Sequence, residues 1–106
     1  MADVEYIKGI RRALHQNPEL GGEEWETSKR IQQELEGAGI PFKTGFAKTG
    51  VLGIIEGGRE GGTVALRADI DALPISEKAD VDFKSKVDGK MHACGHDAHT
   101  SMLLGT

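Results

Sequence analysis

The residues best suited to chemistry lie close together near the carboxyl end of the sequence. Residues 91–100 include three of the four histidines, the single cysteine and Asp97. Neutral imidazole, thiolate and carboxylate are the ligands that zinc and similar borderline metals prefer. Because one glycine separates Cys94 from His96, little side-chain bulk hinders these two from converging on one cation. The spacing therefore predicts a metal site or a catalytic site.

The residues around this Cys-Gly-His sequence have predicted supporting roles. Asp97 is expected to cap the following helix, which would hold His96 on its entry turn. His99 lies two residues into that helix and is a candidate contact to the substrate or to the metal ligands. His92 would share the side of Cys94 if the segment between them were extended.

Structural interpretations compete with this prediction. A single cysteine is most often a small buried apolar residue, and a single histidine is often a hydrogen-bonded structural group. The clustering favours a site, because buried titratable groups are costly without a role. A closed structural zinc site is less favoured, since it needs four ligands, usually in two separated pairs, and the sequence has one cluster.

A second group of charged residues follows a predicted strand. Arg67, Asp69 and Asp71 stand where open α/β sheets place their sites, at the end of a strand. Asp69 is the candidate carboxylate that orients a ligand imidazole, which is a frequent arrangement in metal sites. The alternative is a solvated strand end with a weak local ion pair.

Periodicity predicts the elements that would position these residues. Apolar residues three and four apart predict helices over residues 2–16 and 23–36, with Val4 and Trp25 on the inward faces. Apolar runs predict strands over residues 51–56 and 63–69, joined through glycines in a hairpin. We also expect a turn over residues 71–74, an exposed loop over residues 77–90 and a last helix near residues 99–106. This order favours an α/β sandwich.

Composition argues against several classes of protein. The 106 residues amount to about one small domain, and 13 basic against 17 acidic side chains give a net charge of −4. Without a basic run, nucleic-acid binding is disfavoured. The apolar runs are too short for a membrane span, the amino terminus lacks a secretory signal, and one cysteine cannot form an internal disulfide. We therefore expect a soluble, cytoplasmic protein that binds neither nucleic acid nor membrane.

The sequence also contains little aliphatic core material. Hydrophobic residues make up 38% of it, below the usual share, and the last residues form an apolar turn without a helix stop signal. We therefore expect a truncated chain whose core is completed by segments outside it.

Four segments together point to one family. They are residues 12–20 (Arg-Ala-Leu-His-Gln-Asn-Pro-Glu-Leu), residues 49–51 (Thr-Gly-Val), residues 65–74 (Ala-Leu-Arg-Ala-Asp-Ile-Asp-Ala-Leu-Pro) and residues 91–100 (Met-His-Ala-Cys-Gly-His-Asp-Ala-His-Thr). In this order they resemble the amino-terminal quarter to third of the metal-dependent amidohydrolases. That family includes hippurate hydrolase, auxin-conjugate hydrolases and N-acetyl-diaminopimelate deacetylase, relatives of aminoacylase and zinc carboxypeptidases. The resemblance extends over nearly the whole chain.

The resemblance implies a fold and a metal centre. Residues 1–106 would form the amino-terminal part of a catalytic domain, a three-layer α/β sandwich with a mixed sheet, incomplete in this chain. The rest of that domain and an inserted dimerisation domain would lie outside it, in a protein that forms homo-oligomers. Two divalent metal ions are implied, as zinc, manganese, cobalt or nickel, with Cys94 between them and His96 binding one. Asp69 would be the carboxylate behind the site, and His15 belongs to a signature that supports the fold.

The implied reaction is hydrolysis of the amide bond in N-acyl amino acids or short peptides. A Glu-Glu pair beyond Thr106 would supply the general base, so the 106-residue piece alone is expected to be inactive. Two other functions remain open. One is a hydrolase with Cys94 as nucleophile, although two residues is a poor spacing for a thiolate–imidazole pair. The other is a non-catalytic metal-binding or interaction module.

Overall fold

The structure is a computed structural model that describes residues 2–106. Its elements, in chain order, are the helices α1 (Val4–Gln16) and α2 (Trp25–Gly37), the strands β1 (Phe42–Phe46) and β2 (Gly50–Gly53), and the helix α3 (His96–Gly105). Helix α3 packs mainly on α1, and β2 packs on α2. The long segment between β2 and α3 is irregular, so the candidate site depends on how this segment meets α1 and α3.

Helix α1 forms where it was predicted. The Asp3 carboxylate caps its first turn by accepting from the backbone N–H groups of Glu5 and Tyr6. Ile10 and Leu14 are buried on the inner face, whereas Val4 is 62% exposed, so its predicted inward position is wrong. Within the described residues, α3 meets α1 where Gly105 lies against Ile7, and Val4 lies about one turn before that contact.

Helix α2 also confirms the periodicity, but its first turn is held from outside the helix. The Glu19 carboxylate accepts from the backbone N–H groups of Glu26 and Thr27, at 3.1 and 2.6 Å. Thr27 is buried on the inner face together with its neighbour Ser28, whereas Trp25 is 54% exposed. The inward prediction for Trp25 is therefore wrong, because this smaller polar pair lies against the rest of the molecule.

The two strands form an antiparallel hairpin. Phe42 pairs with Gly53 and Thr44 with Val51, and a bulge follows Thr44. The strand predicted at residues 51–56 is therefore found in part, but its partner is β1, which the sequence analysis did not predict. The predicted partner, residues 63–69, forms no strand among the described residues.

The irregular segment explains this difference. Val64 is 83% exposed and Leu66 is 65% exposed, so this apolar run has no neighbour to pair with among residues 2–106. An extended segment becomes a strand only when another segment supplies its hydrogen bonds. Ala72 and Leu73 lie in isolated bridges, to Leu20 and Met91, rather than in the predicted turn. The loop predicted over residues 77–90 is confirmed as irregular.

The apolar core of residues 2–106 is small. The buried hydrophobic residues are Ile10, Leu14, Ile31 and Ala72. Most of the other buried side chains are polar, so hydrogen bonds hold much of the interior together. The longest described helices have 13 residues and carry several charges, too few and too polar to traverse a bilayer.

Candidate metal centre

A glycine turn brings the two predicted metal ligands to the start of α3. Gly95 has φ +103° and ψ 10°, a left-handed conformation that glycine adopts at little cost. It occupies the cap position, with Cys94 before it and His96 as the first helical residue. The predicted cap residue, Asp97, lies one residue further on inside the helix, so that prediction is wrong. Its carboxylate instead contacts α1.

The imidazole of His96 is held by Asp71. Nδ1 lies 2.9 Å from Oδ1 of Asp71 and 3.0 Å from the carbonyl oxygen of the same residue. Both partners are acceptors, so Nδ1 carries the proton of the neutral ring and Nε2 presents its lone pair. A carboxylate that fixes the imidazole in this tautomer is a common feature of metal-binding histidines. His96 therefore has the geometry of a ligand that binds through Nε2.

Asp69 lies on the other side of the same ring. Its Oδ2 is 3.9 Å from Nε2 of His96, and its Oδ1 forms an ion pair with Arg67. Its backbone oxygen accepts from the Thr100 hydroxyl at 2.9 Å, which ties the segment to α3. The predicted orienting role of Asp69 stays a prediction, because the carboxylate that accepts from Nδ1 of His96 is that of Asp71. Side chains alternate along an extended chain, so Asp69 and Asp71 lie on the same side of it. This alternation could have indicated Asp71 as a second candidate for orienting the imidazole.

The remaining predicted site residues surround the glycine turn. Cys94 is free and exposed, and His99 is exposed with its ring 6.0 Å from that of His96. Both nitrogens of His96 face carboxylates rather than the thiol, which disfavours a thiolate–imidazole pair. An accessible thiol and an imidazole fixed in the metal-binding tautomer suit a soft or borderline cation. Within residues 2–106, however, no three His, Cys, Asp or Glu side chains converge as a ligand set, so these donors form a partial set.

His92 does not share the side of Cys94. It is 4% exposed, while Cys94 is exposed. The shared side was expected only for an extended segment, and that condition is not met because the backbone turns, with the N–H of Ala93 donating to the carbonyl of Met91 at 3.0 Å. Neither ring nitrogen of His92 has a partner among the described residues. Burial lowers the pKa of His92, although nearby Asp97 opposes this shift, so the ring is neutral near pH 7.

A buried network of charges, which was not predicted from the sequence, lies behind the turn. Oδ2 of Asp97 accepts from Nε of Arg11 at 2.9 Å and from Nδ1 of His15 at 2.7 Å. Nε2 of His15 lies 3.0 Å from both carboxylate oxygens of Glu77, which also accepts from the backbone N–H of Ser85. Arg11 and His15 are four residues apart on α1, so their spacing could have suggested that both side chains reach one target. No local pattern in the sequence identifies Asp97 or Glu77 as that target.

Glu77 is ionised in this network. Burial by itself would raise its pKa, but the hydrogen bonds from His15 and from the Ser85 backbone outweigh burial and hold the pKa below its usual range. The side chains of Glu77, His15 and Asp97 are 2%, 3% and 1% exposed. The charges are therefore compensated inside the protein rather than by water.

Comparisons with known proteins bear on this geometry. Residues 65–106 match the model of peptidase family M20/M25/M40. Over 101 residues the chain is 56% identical to an IAA-amino acid hydrolase of Arabidopsis thaliana, a match that spans 95% of this chain and 23% of that protein. The chain is a homologue of the M20 peptidases. It is also 56% identical to the N-acetyl-L-cysteine deacetylase of Bacillus subtilis, over 92% of this chain and 23% of that protein.

A solved structure matches in three dimensions as well. It is a dinuclear metal-binding peptidase of the M20 family from Bacillus subtilis, 48% identical, with a TM-score of 0.88 over 92% of this chain and 28% of that one. The expected family resemblance and the incomplete α/β fold are thereby confirmed, although the sheet within residues 2–106 has only two strands. The chain spans about a quarter of the length of the relatives it matches.

Proposed function

We propose that the protein containing this chain hydrolyses the amide bond of N-acyl amino acids or short peptides. The observation that carries the proposal is the pairing of His96 Nδ1 with Asp71 beside the exposed thiol of Cys94. This pairing leaves Nε2 of His96 free to bind a metal, and it occurs in a chain similar to hydrolases of amino acid conjugates and of N-acetyl-L-cysteine. We assign residues 1–106 to the amino-terminal part of the catalytic domain.

Cys94 and His96 are proposed to bind two divalent ions together with ligands outside the chain. The ions, when bound, supply the acidity that makes water a nucleophile near neutral pH, and they polarise the amide carbonyl. A thiolate donor favours zinc, cobalt or nickel, with manganese as a harder alternative. Asp71 fixes the tautomer of His96, and Asp69 adds negative charge beside Nε2. His99 is exposed next to His96 and is proposed to contact the substrate.

The test is metal content and hydrolysis in the whole protein with Cys94→Ala and with His96→Ala. Each variant is expected to lose at least one metal equivalent and most activity towards N-acetyl amino acids, hippurate and dipeptides. Met102→Ala is the matched control, because Met102 is exposed on the same helix and lies away from the donors. Wild-type metal stoichiometry and full activity in both Ala variants would reject the proposal.

The same assay separates the proposal from a cysteine nucleophile. Chelation should abolish hydrolysis, and added metal should restore it. An alkylating agent applied to the metal-loaded protein should act slowly if the thiolate is a ligand. Rapid inactivation by the alkylating agent, with activity unaffected by chelation, would favour the nucleophile instead. We also propose a cytoplasmic homo-oligomer, which sedimentation and cell fractionation would test.

A further inference from the structure

Helices α1 and α3 run antiparallel and are joined at both ends. Near the start of α3, Arg11 and His15 of α1 reach Asp97. At the far end of α3, Gly105 lies so close to Ile7 that a methyl group there would overlap it. The polar end of this contact lies directly beside the proposed metal donors, while the apolar end lies far from them.

The carboxylate of Asp97 is fully engaged. Oδ1 accepts from the N–H of Ala98 at 2.9 Å, and Oδ2 accepts from Arg11 and His15 at 2.9 and 2.7 Å. Successive residues of a helix point about 100° apart, so Asp97 facing α1 makes its neighbour His96 face away from it. The anchor on Asp97 therefore sets the rotation of the first turn, and with it the direction of the His96 ring towards Asp71.

His15 is the centre of this anchor. Its Nδ1 contacts Asp97, and its Nε2 contacts Glu77, which accepts from the backbone N–H of Ser85. Each ring nitrogen of His15 thus faces one carboxylate, and Arg11 adds its guanidinium to Asp97. Basic groups therefore lie against both buried carboxylates, which is the condition for burying them. One ring thus joins α1, α3 and the loop over residues 77–90.

We propose that His15 is a positioning residue for the metal centre, acting through Asp97 on the turn that carries Cys94 and His96. The inference rests on the proposed function, because it concerns how well the donors are placed for a cation. His15 itself touches neither the cation nor the substrate. Loss of its two hydrogen bonds frees the first turn of α3 to rotate, and the donors then meet the cation in a poorer geometry.

The test is cobalt binding by the whole protein, measured by chelator competition and by the visible spectrum of the Co²⁺ complex. His15→Phe keeps a ring of similar size and removes both hydrogen bonds. Its cobalt affinity is expected to fall about 10- to 100-fold, with shifted d–d bands and a weaker thiolate charge-transfer band. Leu14→Ala is the matched control, because it removes buried contacts from the adjacent position of α1 without touching the network. It should keep the wild-type spectrum and bind cobalt within about 3-fold of wild type.

Each outcome decides the question. Wild-type cobalt affinity and spectrum in His15→Phe, or the same change in Leu14→Ala, would overturn the positioning role while the proposed function stands. Failure of the wild-type protein to bind cobalt would reject the proposed function and this inference with it. If His15→Phe does not fold, Glu77→Gln is the second variant that tests the positioning role. It removes the negative charge that faces Nε2 of His15 at nearly constant side-chain volume. It should weaken cobalt binding and shift the spectrum in the same direction, and an unchanged spectrum would overturn the inference.

Discussion

Nδ1 of His96 lies 2.9 Å from Oδ1 of Asp71, across 25 residues of sequence. This contact gives the part-buried ring of His96 one defined free nitrogen, because the carboxylate accepts from the nitrogen that carries the proton. The side chain of Asp71 is 37% exposed, so water can partly replace it. Its contribution is therefore to the orientation and basicity of the ring rather than to stability, and a change of metal affinity is the appropriate measurement.

Asp71→Asn is expected to lower the metal affinity of the whole protein about 10-fold, near the lower limit for partners of metal-binding histidines. The amide oxygen can still accept from Nδ1, but the negative charge that increases the basicity of the ring is lost. Chelator competition measures the affinity. Asp80→Asn, on the exposed loop, is the control for the loss of one negative charge. Equal affinities in the two variants would show that the Asp71 contact is incidental.

Gly95→Ala is expected to destabilise the protein by about 1–2 kcal/mol, because a Cβ is strained at φ +103°. The Cβ would not clash, since its nearest atom, Nε2 of His99, would lie at an ordinary contact distance of 3.8 Å. Gly9→Ala in α1 is the opposite control, where nothing lies within 4 Å and helix propensity predicts a gain of about 0.5–1 kcal/mol. Denaturant unfolding measures the change in the free energy of unfolding for both variants, which should be a loss for Gly95→Ala and a gain for Gly9→Ala. An unchanged free energy of unfolding in Gly95→Ala would contradict the backbone strain.

Tyr6 offers a titration with a single reporter, because the chain has one tyrosine. Burial raises the pKa of Tyr6 to about 12, assisted by its hydrogen bond to Glu34. The folded pKa exceeds the unfolded value of 10, so this contribution to stability is complete below pH 10 and is lost as the pH rises towards 12. Absorbance at the tyrosinate band follows the ionisation of Tyr6 directly if the protein has no other tyrosine. If it has others, subtracting the titration of Tyr6→Phe from that of the wild type isolates Tyr6. A midpoint near pH 10 would contradict the buried contact.

Glu77→Gln is expected to lower the free energy of unfolding at pH 7 by roughly 1.5–3 kcal/mol, the scale of a hydrogen bond to a charged group. The folded pKa of Glu77 lies below its usual value of 4.5, so its stabilisation is present above pH 4.5 and is lost as the pH falls through the folded pKa. Denaturant unfolding between pH 7 and pH 3 should therefore show the wild type and Glu77→Gln converging in acid. A difference that stays constant with pH would exclude an ionised Glu77.

Local features of the fold could be predicted from the sequence because short-range interactions determine them. The spacing of Ile10 and Leu14, with Pro18 after them, is enough to predict α1 and the part of its inner face that these two residues form, but not the exposure of Val4. The Cys-Gly-His cluster predicts metal chemistry from residue types and spacing alone, and this stays a prediction. The motif resemblance is consistent with the similarity to M20 peptidases that the comparisons show.

Contacts between distant segments required the tertiary structure. His15 and Asp97 are 82 residues apart, and His96 and Asp71 are 25 apart, so no periodicity or turn signal pairs them. Residues 63–69 are a second example, because their sequence predicts an extended apolar segment but does not show whether another segment pairs with it. Residue types and local spacing thus determine which groups can do chemistry, whereas long-range packing decides which carboxylate each imidazole meets, since that choice depends on how distant segments are brought together.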